Sequence, residues 1–338
     1  MEIVIVGSGM AGVSFAEELK KLVPAWRVVI VTQETHGYYS RPLLSHGFSR
    51  EDIEQKIVLR SFDALRSMGI EIHAGVEVSA IDRSAKRLAL QGAAPAELGY
   101  DRLVLALGSD ALIPPPFRPY RDLYYVLNSL DDLLALRRRR GELSDSGQRP
   151  RWAIVGGGLI GCELSSDLAK AGDDVTLFHA LPRLMERQLV EGDSQALATL
   201  LEESSVTLRL DSAVTGFARE DGQFTVLTAD GAAGSFDGIV VACGFRPRVD
   251  LAKAAGLPTA RGILVDSYLT TADPDVFAIG DVAECADGRL YAYVLPIRGQ
   301  ALWLARRLAG TEERPWEPPF FKPKAKVHGF TATHPYLF

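Results

Sequence analysis

The stretch Gly7-Ser8-Gly9-Met10-Ala11-Gly12 directly follows the apolar run 3–6, and it decides the first half of the fold. A second copy, Gly156-Gly157-Gly158-Leu159-Ile160-Gly161, directly follows the apolar run 152–155. Each copy predicts a strand, a tight glycine turn and a helix whose N-terminal amides face a pyrophosphate. One such fingerprint is weak evidence. Two copies in this context predict a single chain that holds two dinucleotides.

The elements around each copy predict an α/β chain with two Rossmann-like domains. The first domain reads as strand 2–6, helix 10–22 and strand 27–32, with short strands in 70–90 and a strand that ends at Gly108. The prolines at 114–116 mark a boundary, and helix 130–137 and a polar loop 141–150 follow it. The second domain repeats the plan with helix 159–171, strand 174–178 and a strand that ends at Gly244. Strand segments at 262–266 and 276–281 and a helix at 297–308 return to the first domain.

Composition and charge exclude several classes of protein. A chain of 338 residues with 47% hydrophobic and 24% charged residues is typical of a globular protein with two or three domains. A net charge of −6 argues against nucleic acid or an anionic membrane as a partner. A strand starts almost at residue 1 and no apolar run reaches 18 residues, so neither a signal peptide nor a membrane span is expected. We expect a cytoplasmic protein that is a monomer or a weak dimer.

The three cysteines give no sign of a reactive or metal-binding pair. Cys162, Cys243 and Cys285 form no C-x-x-C pair, and each is predicted to be a small buried apolar residue in a reducing compartment. No metal site is predicted.

Five motifs in order resemble the two-dinucleotide flavoprotein reductases of the glutathione-reductase-like fold, over residues 1–310. They are 7–12, the strand that ends at Gly108, 156–163, 244–247 and the segment 271–281, which ends in Gly280-Asp281. The resemblance implies an FAD-binding domain at 1–115 and 245–310 and an NAD(P)H-binding domain at 116–244. It also implies that 311–338 is a short tail or the stub of a third domain, which is truncated or absent.

The resemblance further implies which residues bind the cofactors. Glu34, after the second strand, is placed to bond the ribose of FAD, and Asp281 is placed on its ribityl chain. The implied FAD residues are Gly7, Ser8, Gly9, Met10, Ala11, Gly12, Glu34, Arg41, Pro42, Ser45, Val78, Ala106, Leu107, Gly108, Gly280, Asp281, Leu295, Pro296 and Ile297. The implied NAD(P)H residues are Gly156, Gly158, Leu159, Ile160, Gly161, Glu163, His179, Arg183 and Gly244.

The segment after the second strand indicates the subgroup. No cysteine precedes Cys162, and flavin-to-disulfide chemistry needs a thiol beside the flavin, so disulfide reductases are excluded. The segment Arg41-Pro42-x-Leu44-Ser45 is similar to the flavin-lining segment of ferredoxin and rubredoxin reductases, and 47–50 favours the rubredoxin branch. His46 stands where ferredoxin reductases have a lysine. Glu163, His46 and Arg41 are the candidate catalytic residues, with Glu163 expected to hold the nicotinamide carboxamide.

Coenzyme preference and electron acceptor follow from the same resemblance. His179 stands where NADH enzymes present an acid, with Arg183 nearby, so the barrier to a 2′-phosphate is missing and measurable use of NADPH is expected. Because rubredoxin reductases usually use NADH, the resemblance implies NADH as the main coenzyme. A small rubredoxin- or ferredoxin-type protein is the expected acceptor. Two basic features could form a docking surface for that acceptor or could be ordinary solvated charge. They are the stretch 137–140 and the lysines Lys322, Lys324 and Lys326. The competing functions are an oxidase or diaphorase that reduces oxygen or quinones, and a non-enzymatic redox sensor.

Overall fold

Strands and helices alternate along the chain in a computed structural model that describes residues 1–93 and 95–337. In chain order the strands are β1 Glu2–Val6, β2 Arg27–Thr32, β3 Tyr38–Tyr39, β4 Val58–Arg60, β5 Ile70–Ala74, β6 Glu77–Asp82, β7 Arg87–Gln91, β8 Glu97–Gly99, β9 Arg102–Leu105, β10 Ser109–Ala111, β11 Arg151–Val155, β12 Asp174–Phe178, β13 Val206–Arg209, β14 Val214–Glu220, β15 Gln223–Thr228, β16 Gly231–Phe236, β17 Gly238–Val241, β18 Phe245–Pro247, β19 Ile263–Leu264, β20 Val276–Ala278 and β21 Ala283–Glu284. The α-helices are α1 Met10–Leu22, α2 Ile53–Lys56, α3 Phe62–Ser67, α4 Leu130–Asp145, α5 Leu159–Lys170, α6 Glu191–Glu203, α7 Asp250–Ala254 and α8 Val294–Leu308. Short 3-10 helices span Arg41–His46, Pro115–Leu123 and Gly280–Val282.

The chain divides into two units. Unit 1 comprises 1–40, 58–110 and 246–321, and unit 2 comprises 41–57, 111–245 and the chain from Lys322 onward. This division differs from the predicted domains at 41–57, which the sequence assigned to the first domain. The physical reason is a set of hydrogen bonds within unit 2, where the amides of Phe48 and Ser49 donate to the buried carboxylate of Asp167.

Unit 1 is built on a five-stranded parallel sheet in the order β20-β9-β1-β2-β5. The sheet is buried because its central strands are continuous apolar runs, as parallel strands covered on both faces are. The chain leaves β1 toward β2 on one side and returns at β9 on the other, so the strand order reverses between β1 and β9. Open parallel sheets bind their ligands outside the carboxyl ends of the strands at such a point.

Unit 2 repeats this plan with a four-stranded parallel sheet in the order β13-β12-β11-β17. Here the reversal lies between β11 and β17, and both strands are buried. Each unit also carries an antiparallel three-stranded sheet, β6-β7-β8 in unit 1 and β14-β15-β16 in unit 2. The prediction of an α/β fold with two Rossmann-like dinucleotide-binding domains is confirmed.

Two predicted helices have different bounds in the structure. Helix α4 continues from Leu130 to Asp145, so the predicted loop 141–150 is wrong over its first five residues. A capping box between Ser129 and Asp132 starts the helix, and Leu143 is buried near its end. Helix α8 begins at Val294, three residues before the predicted start, because Pro296 is tolerated in a first turn that needs no intrahelical amide donor.

In the part of the chain that the structure describes, no helix has the length and apolar character needed to cross a membrane.

Candidate functional site

The glycine turn after β1 brings helix α1 against the end of β9. A Cβ on Gly7 would lie 2.2 Å from the carbonyl oxygen of Ala106, and one on Gly12 would lie 2.0 Å from the carbonyl oxygen of Gly7. Gly7 also has φ +113°, a conformation that L side chains rarely adopt. A Cβ on Gly9 would meet nothing within 4 Å. The turn is therefore closed toward the protein and open at the helix N-terminus, as a phosphate cradle requires.

Other predicted residues surround this turn in unit 1. Ser8 shares a hydrogen bond of 2.9 Å with Thr32, and Glu34 accepts one of 2.7 Å from the hydroxyl of Tyr39. The carboxylate of Asp281 accepts a hydrogen bond of 2.8 Å from Ser109, directly after the predicted stretch 106–108. Within this fully described helix, the first turn of α1 has no acidic side chain and no side-chain cap. The amides of Met10 and Ala11 there are the donors that a phosphate would use.

Further FAD candidates occupy two other places in unit 1. Gly280 has φ +80°, and a Cβ on it would lie 3.0 Å from the Cβ of Ala11, so Gly280 lies beside the start of α1. Its amide donates to the buried Gln300 at 2.7 Å. Leu295, Pro296 and Ile297 form the first turn of α8, while Val78 is buried in β6.

The glycine turn in unit 2 has the same geometry. A Cβ on Gly156 would lie 2.4 Å from the carbonyl oxygen of Ala242, and one on Gly161 would lie 1.8 Å from that of Gly156. Gly158 is the N-cap of α5 and has open space where its Cβ would stand. Leu159 and Ile160 form the first turn of the helix. The second fingerprint thus also combines close packing with an open N-terminus.

The loop after β12 contains an acid, Glu186, that the sequence reasoning missed. His179 Nδ1 accepts a hydrogen bond of 3.0 Å from the amide of Gly157, and its Nε2 lies 3.2 Å from a carboxylate oxygen of Glu186. This pattern is satisfied by the neutral tautomer with its proton on Nε2. Arg183 donates to the carbonyl oxygens of Glu186 and Leu189, at 3.0 and 2.7 Å. Glu186 lies only seven residues after His179, but no sequence motif predicts their contact.

Glu163 is fully buried on the first turns of α5, and its carboxylate is held from two directions. Ser45 donates its hydroxyl to Oε2 at 2.6 Å. Lys326 donates its backbone amide to Oε1 at 2.8 Å and its ammonium to Oε2 at 2.6 Å. A carboxylate offers about four acceptor positions, so about one is left for a further donor. The structure thereby unites Ser45 and Glu163, two residues that the sequence predicted separately.

A second buried acid lies one turn further along α5. Asp167 accepts from the amides of Phe48 and Ser49 at 2.8 and 3.1 Å, from the Ser49 hydroxyl, and from His328 Nε2 at 3.0 Å. Burial raises the pKa of Asp167, but the hydrogen bonds from Ser49, His328 and the two amides lower it overall. His46 Nδ1 lies 3.9 Å from Asp167 Oδ1. Burial lowers the pKa of His46, and the positive charge of Lys326 lowers it further.

The remaining predicted polar residues are engaged within unit 2. Arg41, after which Pro42 continues the 3-10 helix, donates to the carbonyl oxygen of Asn128. Among the arginines at 137–140, Arg137 pairs with Glu54 at 2.6 Å, and Arg140 forms a two-pronged ion pair with the buried Asp173. These contacts favour a structural role for those arginines over a docking surface. Gly244 follows β17 with φ +113°.

The thiols are unsuited to nucleophilic chemistry. Burial raises the pKa of Cys243 to about 11 and that of Cys285 to about 12, and it raises that of Cys162 further still. Reactive cysteines have a lowered pKa and partial exposure.

Comparison with known proteins places this geometry in a family. The chain matches the pyridine nucleotide-disulphide oxidoreductase family over residues 1–302. The chain belongs to that family. It is 36% identical over 312 residues to the rubredoxin-NAD(+) reductase of Acinetobacter baylyi, covering 91% of this chain and 78% of that one. The rubredoxin-NAD(+) reductase of Alcanivorax borkumensis is 34% identical over 310 residues, with the same shares covered.

A solved structure supports the same placement. The reductase in a covalent putidaredoxin reductase–putidaredoxin complex has a TM-score of 0.86 and is 29% identical, covering 96% of this chain and 79% of that chain. This member of the pyridine nucleotide-disulphide oxidoreductase family is therefore a flavoprotein NAD(P)H oxidoreductase that resembles rubredoxin reductases. The predicted resemblance is confirmed.

The family implies FAD and NAD(P)H, and the residues present fit both. In each unit the glycine turn packs so closely against the protein that a Cβ has no room there. At the helix N-terminus the same turn has open space, as a bound pyrophosphate requires. Carboxylates suited to hydroxyl groups stand beside each turn, with Glu34 and Asp281 in unit 1 and Glu186 in unit 2.

Proposed function

We propose that this chain catalyses electron transfer from NAD(P)H through FAD to a small one-electron acceptor of the rubredoxin or ferredoxin type. The bound cofactors would supply hydride transfer from NAD(P)H to FAD and one-electron transfer from FAD to the acceptor. Unit 1 is the proposed FAD-binding unit, with the turn 7–12, Glu34 and Asp281. Unit 2 is the proposed NAD(P)H-binding unit, with the turn 156–161, Glu163 and Gly244. Named relatives that reduce rubredoxin support this choice of acceptor.

The observation that carries the proposal is the buried carboxylate of Glu163. It lies on the helix that follows the second glycine turn, where it would accept a hydrogen bond from the nicotinamide carboxamide. Ser45 and Lys326 orient its two oxygens, and because the carboxylate is fully buried, a ligand amide can reach it only when a covering side chain moves.

Glu186 supports NADH as the preferred coenzyme. A carboxylate near the end of the second strand accepts hydrogen bonds from a ribose 2′-hydroxyl and repels a 2′-phosphate. His179 holds Glu186 there, at 3.2 Å, and the guanidinium of Arg183 is taken up by backbone carbonyls instead of facing outward as an anion site. Glu186→Gln is therefore expected to raise the ratio of kcat/KM for NADPH to that for NADH by about tenfold, the effect of removing about 1.4 kcal/mol of repulsion.

The deciding experiment is anaerobic stopped-flow reduction of the FAD-loaded protein by NADH. Glu163→Gln keeps the side-chain size and removes the charge, and we expect flavin reduction to slow by about 10- to 100-fold, since a hydrogen bond to a charged group contributes about 1.5–3 kcal/mol. The exposed Glu191→Gln, in the same unit, is the matched control and should leave the rate unchanged. An unchanged rate in Glu163→Gln, or slow reduction of the native protein by both nucleotides, contradicts the proposal.

Mixing the reduced protein with candidate acceptors identifies the second half of the reaction. Rubredoxin or ferredoxin is expected to reoxidise the flavin much faster than quinone or oxygen. Fast reduction followed by reoxidation with oxygen alone would instead identify an oxidase. That outcome refutes the acceptor and leaves the role of Glu163 standing.

A further inference from the structure

Three potential metal ligands converge in unit 2, one helical turn along α5 from Glu163. We propose that His46, Asp167 and His328 form a binding site for a divalent first-row transition metal, with Zn²⁺ as the representative ion. One ligand atom from each residue lies within 4.8 Å of the other two. His328 Nε2 is 3.0 Å and His46 Nδ1 is 3.9 Å from Asp167 Oδ1. Ligands about 2.1 Å from a tetrahedral ion stand about 3.4 Å apart, so small side-chain rotations suffice to close the site.

The carboxylate of Asp167 is held in place as metal-binding carboxylates are. The amides of Phe48 and Ser49 donate to its Oδ2, and the hydroxyl of Ser49 donates to Oδ1. Such outer hydrogen bonds orient a ligand before the metal arrives. Asp167 itself is fully buried, so its charge is poorly screened by solvent.

The imidazole of His46 has a lone pair to offer. Its Nε2 is buried, and among the described residues no hydrogen-bond partner is found for it. The other ring nitrogen, Nδ1, faces Asp167 Oδ1 at 3.9 Å, which is too far for a hydrogen bond, so this ring nitrogen is open to a metal ion beside the carboxylate. The rings of His46 and His328 stand edge to face, 5.0 Å apart. One ligand nitrogen of each ring lies within 4.8 Å of the other and of Asp167.

The local charges favour a cation. Glu163 and Asp167 contribute two buried negative charges, and the ammonium of Lys326 neutralises only one of them, as the partner of Glu163 at 2.6 Å. Lys170 Nζ lies 3.3 Å from His328 Nδ1. With a metal on Nε2, the Nδ1 of His328 carries the ring proton, and the Lys170 ammonium, itself a donor, has to move away. The contact is exposed, so the flexible lysine side chain can withdraw.

The ligand set selects the class of metal. Two imidazoles and one carboxylate suit Zn²⁺ and its first-row neighbours, whereas Mg²⁺ and Ca²⁺ prefer six or more oxygen ligands. Three protein ligands leave a fourth position for water. Because His328 belongs to the segment after Lys322, a bound metal would also tie that segment to α5.

Metal titration of the full-length, FAD-loaded protein after chelator treatment tests the site. We expect calorimetry to show one Zn²⁺ bound per chain. Co²⁺ in the same site should give visible absorption bands at longer wavelengths than those of the flavin. His328→Ala should weaken binding at least tenfold, since changes even in the outer shell cost 10- to 100-fold. His334→Ala is the matched control, because His334 also contacts a buried aspartate, Asp193, but among residues 1–93 and 95–337 it belongs to no cluster of three potential metal ligands.

Several results overturn the proposal. They are no Zn²⁺ binding at 100-fold excess, equal binding of Mg²⁺, and equal loss in the His328→Ala and His334→Ala variants. If His328→Ala does not fold, His46→Asn takes its place. Hydrogen exchange of residues 322–337 gives a readout that is independent of activity. Zn²⁺ should slow exchange there in the native protein, and an unchanged rate contradicts the assignment.

Discussion

Alanine at the third glycine of the second fingerprint should destabilise unit 2 without help from any ligand. In Gly161→Ala the new Cβ would lie 1.8 Å from the carbonyl oxygen of Gly156, although real Cβ contacts essentially never fall below 3.0 Å. The turn and the helix must therefore separate by about 1.2 Å, and both colliding groups belong to the backbone or are fixed to it. Overpacking costs typically 1–3 kcal/mol. The better helix propensity of alanine returns about 1 kcal/mol.

Because the clash is with a backbone atom, the overpacking cost is taken at the top of that range, about 3 kcal/mol, and the net loss is expected to be about 2 kcal/mol. A loss of this size lowers the folded-to-unfolded ratio by about 30-fold. The matched variant is Gly158→Ala, whose Cβ meets nothing within 4 Å. We expect its stability to stay within about 0.5 kcal/mol of the native value. Its affinity for NADH should nevertheless fall, because the methyl group stands where the pyrophosphate approaches the helix.

Urea unfolding and hydrogen exchange of peptides from 151–178 measure the stability of unit 2, and calorimetry measures NADH binding. Exchange is needed because the two units need not unfold together. Two outcomes refute the reasoning: a Gly161→Ala protein as stable as the native one, and a Gly158→Ala protein destabilised to the same extent. Either outcome would mean that Gly161 is not needed for packing against the turn or that Gly158 is not needed only for approach of the ligand.

Three further predictions concern the C-terminal segment and the thiols. Lys326→Met should speed hydrogen exchange of 322–337 by about 10- to 100-fold, since Glu163 loses a charged donor of about 1.5–3 kcal/mol, whereas exposed Lys324→Met should not change it. Hydrogen bonds from Thr333 lower the pKa of Asp193 from 3.8 to about 2, so the contact with this acid stabilises the C-terminal segment above about pH 4 and is lost as the pH falls toward 2. Thr333→Val should move that loss to higher pH, which hydrogen exchange of the segment measured across the acid range would show. At pH 8 in the native protein, iodoacetamide should react slowly with every cysteine and rapidly only after denaturation, and rapid native labelling would contradict the raised thiol pKa values of Cys162, Cys243 and Cys285.

Much of the candidate site was predictable because it follows strand ends. Gly7, Gly156 and Asp281 stand directly after apolar runs, and local sequence sets both the strand and the turn. Glu186 and Lys326 could not be found this way. Glu186 lies in a loop seven residues after His179, where no motif predicts the contact. Lys326 lies in a stretch without periodicity and reaches Glu163 only through the folded chain.

The sequence by itself determined the doubled α/β plan and the two glycine turns, and it predicts that no cysteine pair takes part in the chemistry. These depend on residues close together along the chain, where the period of apolar residues and the lack of a Cβ act directly. The tertiary structure alone decided that 41–57 and the segment after Lys322 belong to unit 2 and that Glu163 is held by Ser45 and Lys326. The physical reason is that a buried carboxylate must find donors, and hydrogen-bond donors distant in sequence become its neighbours only when the chain has folded.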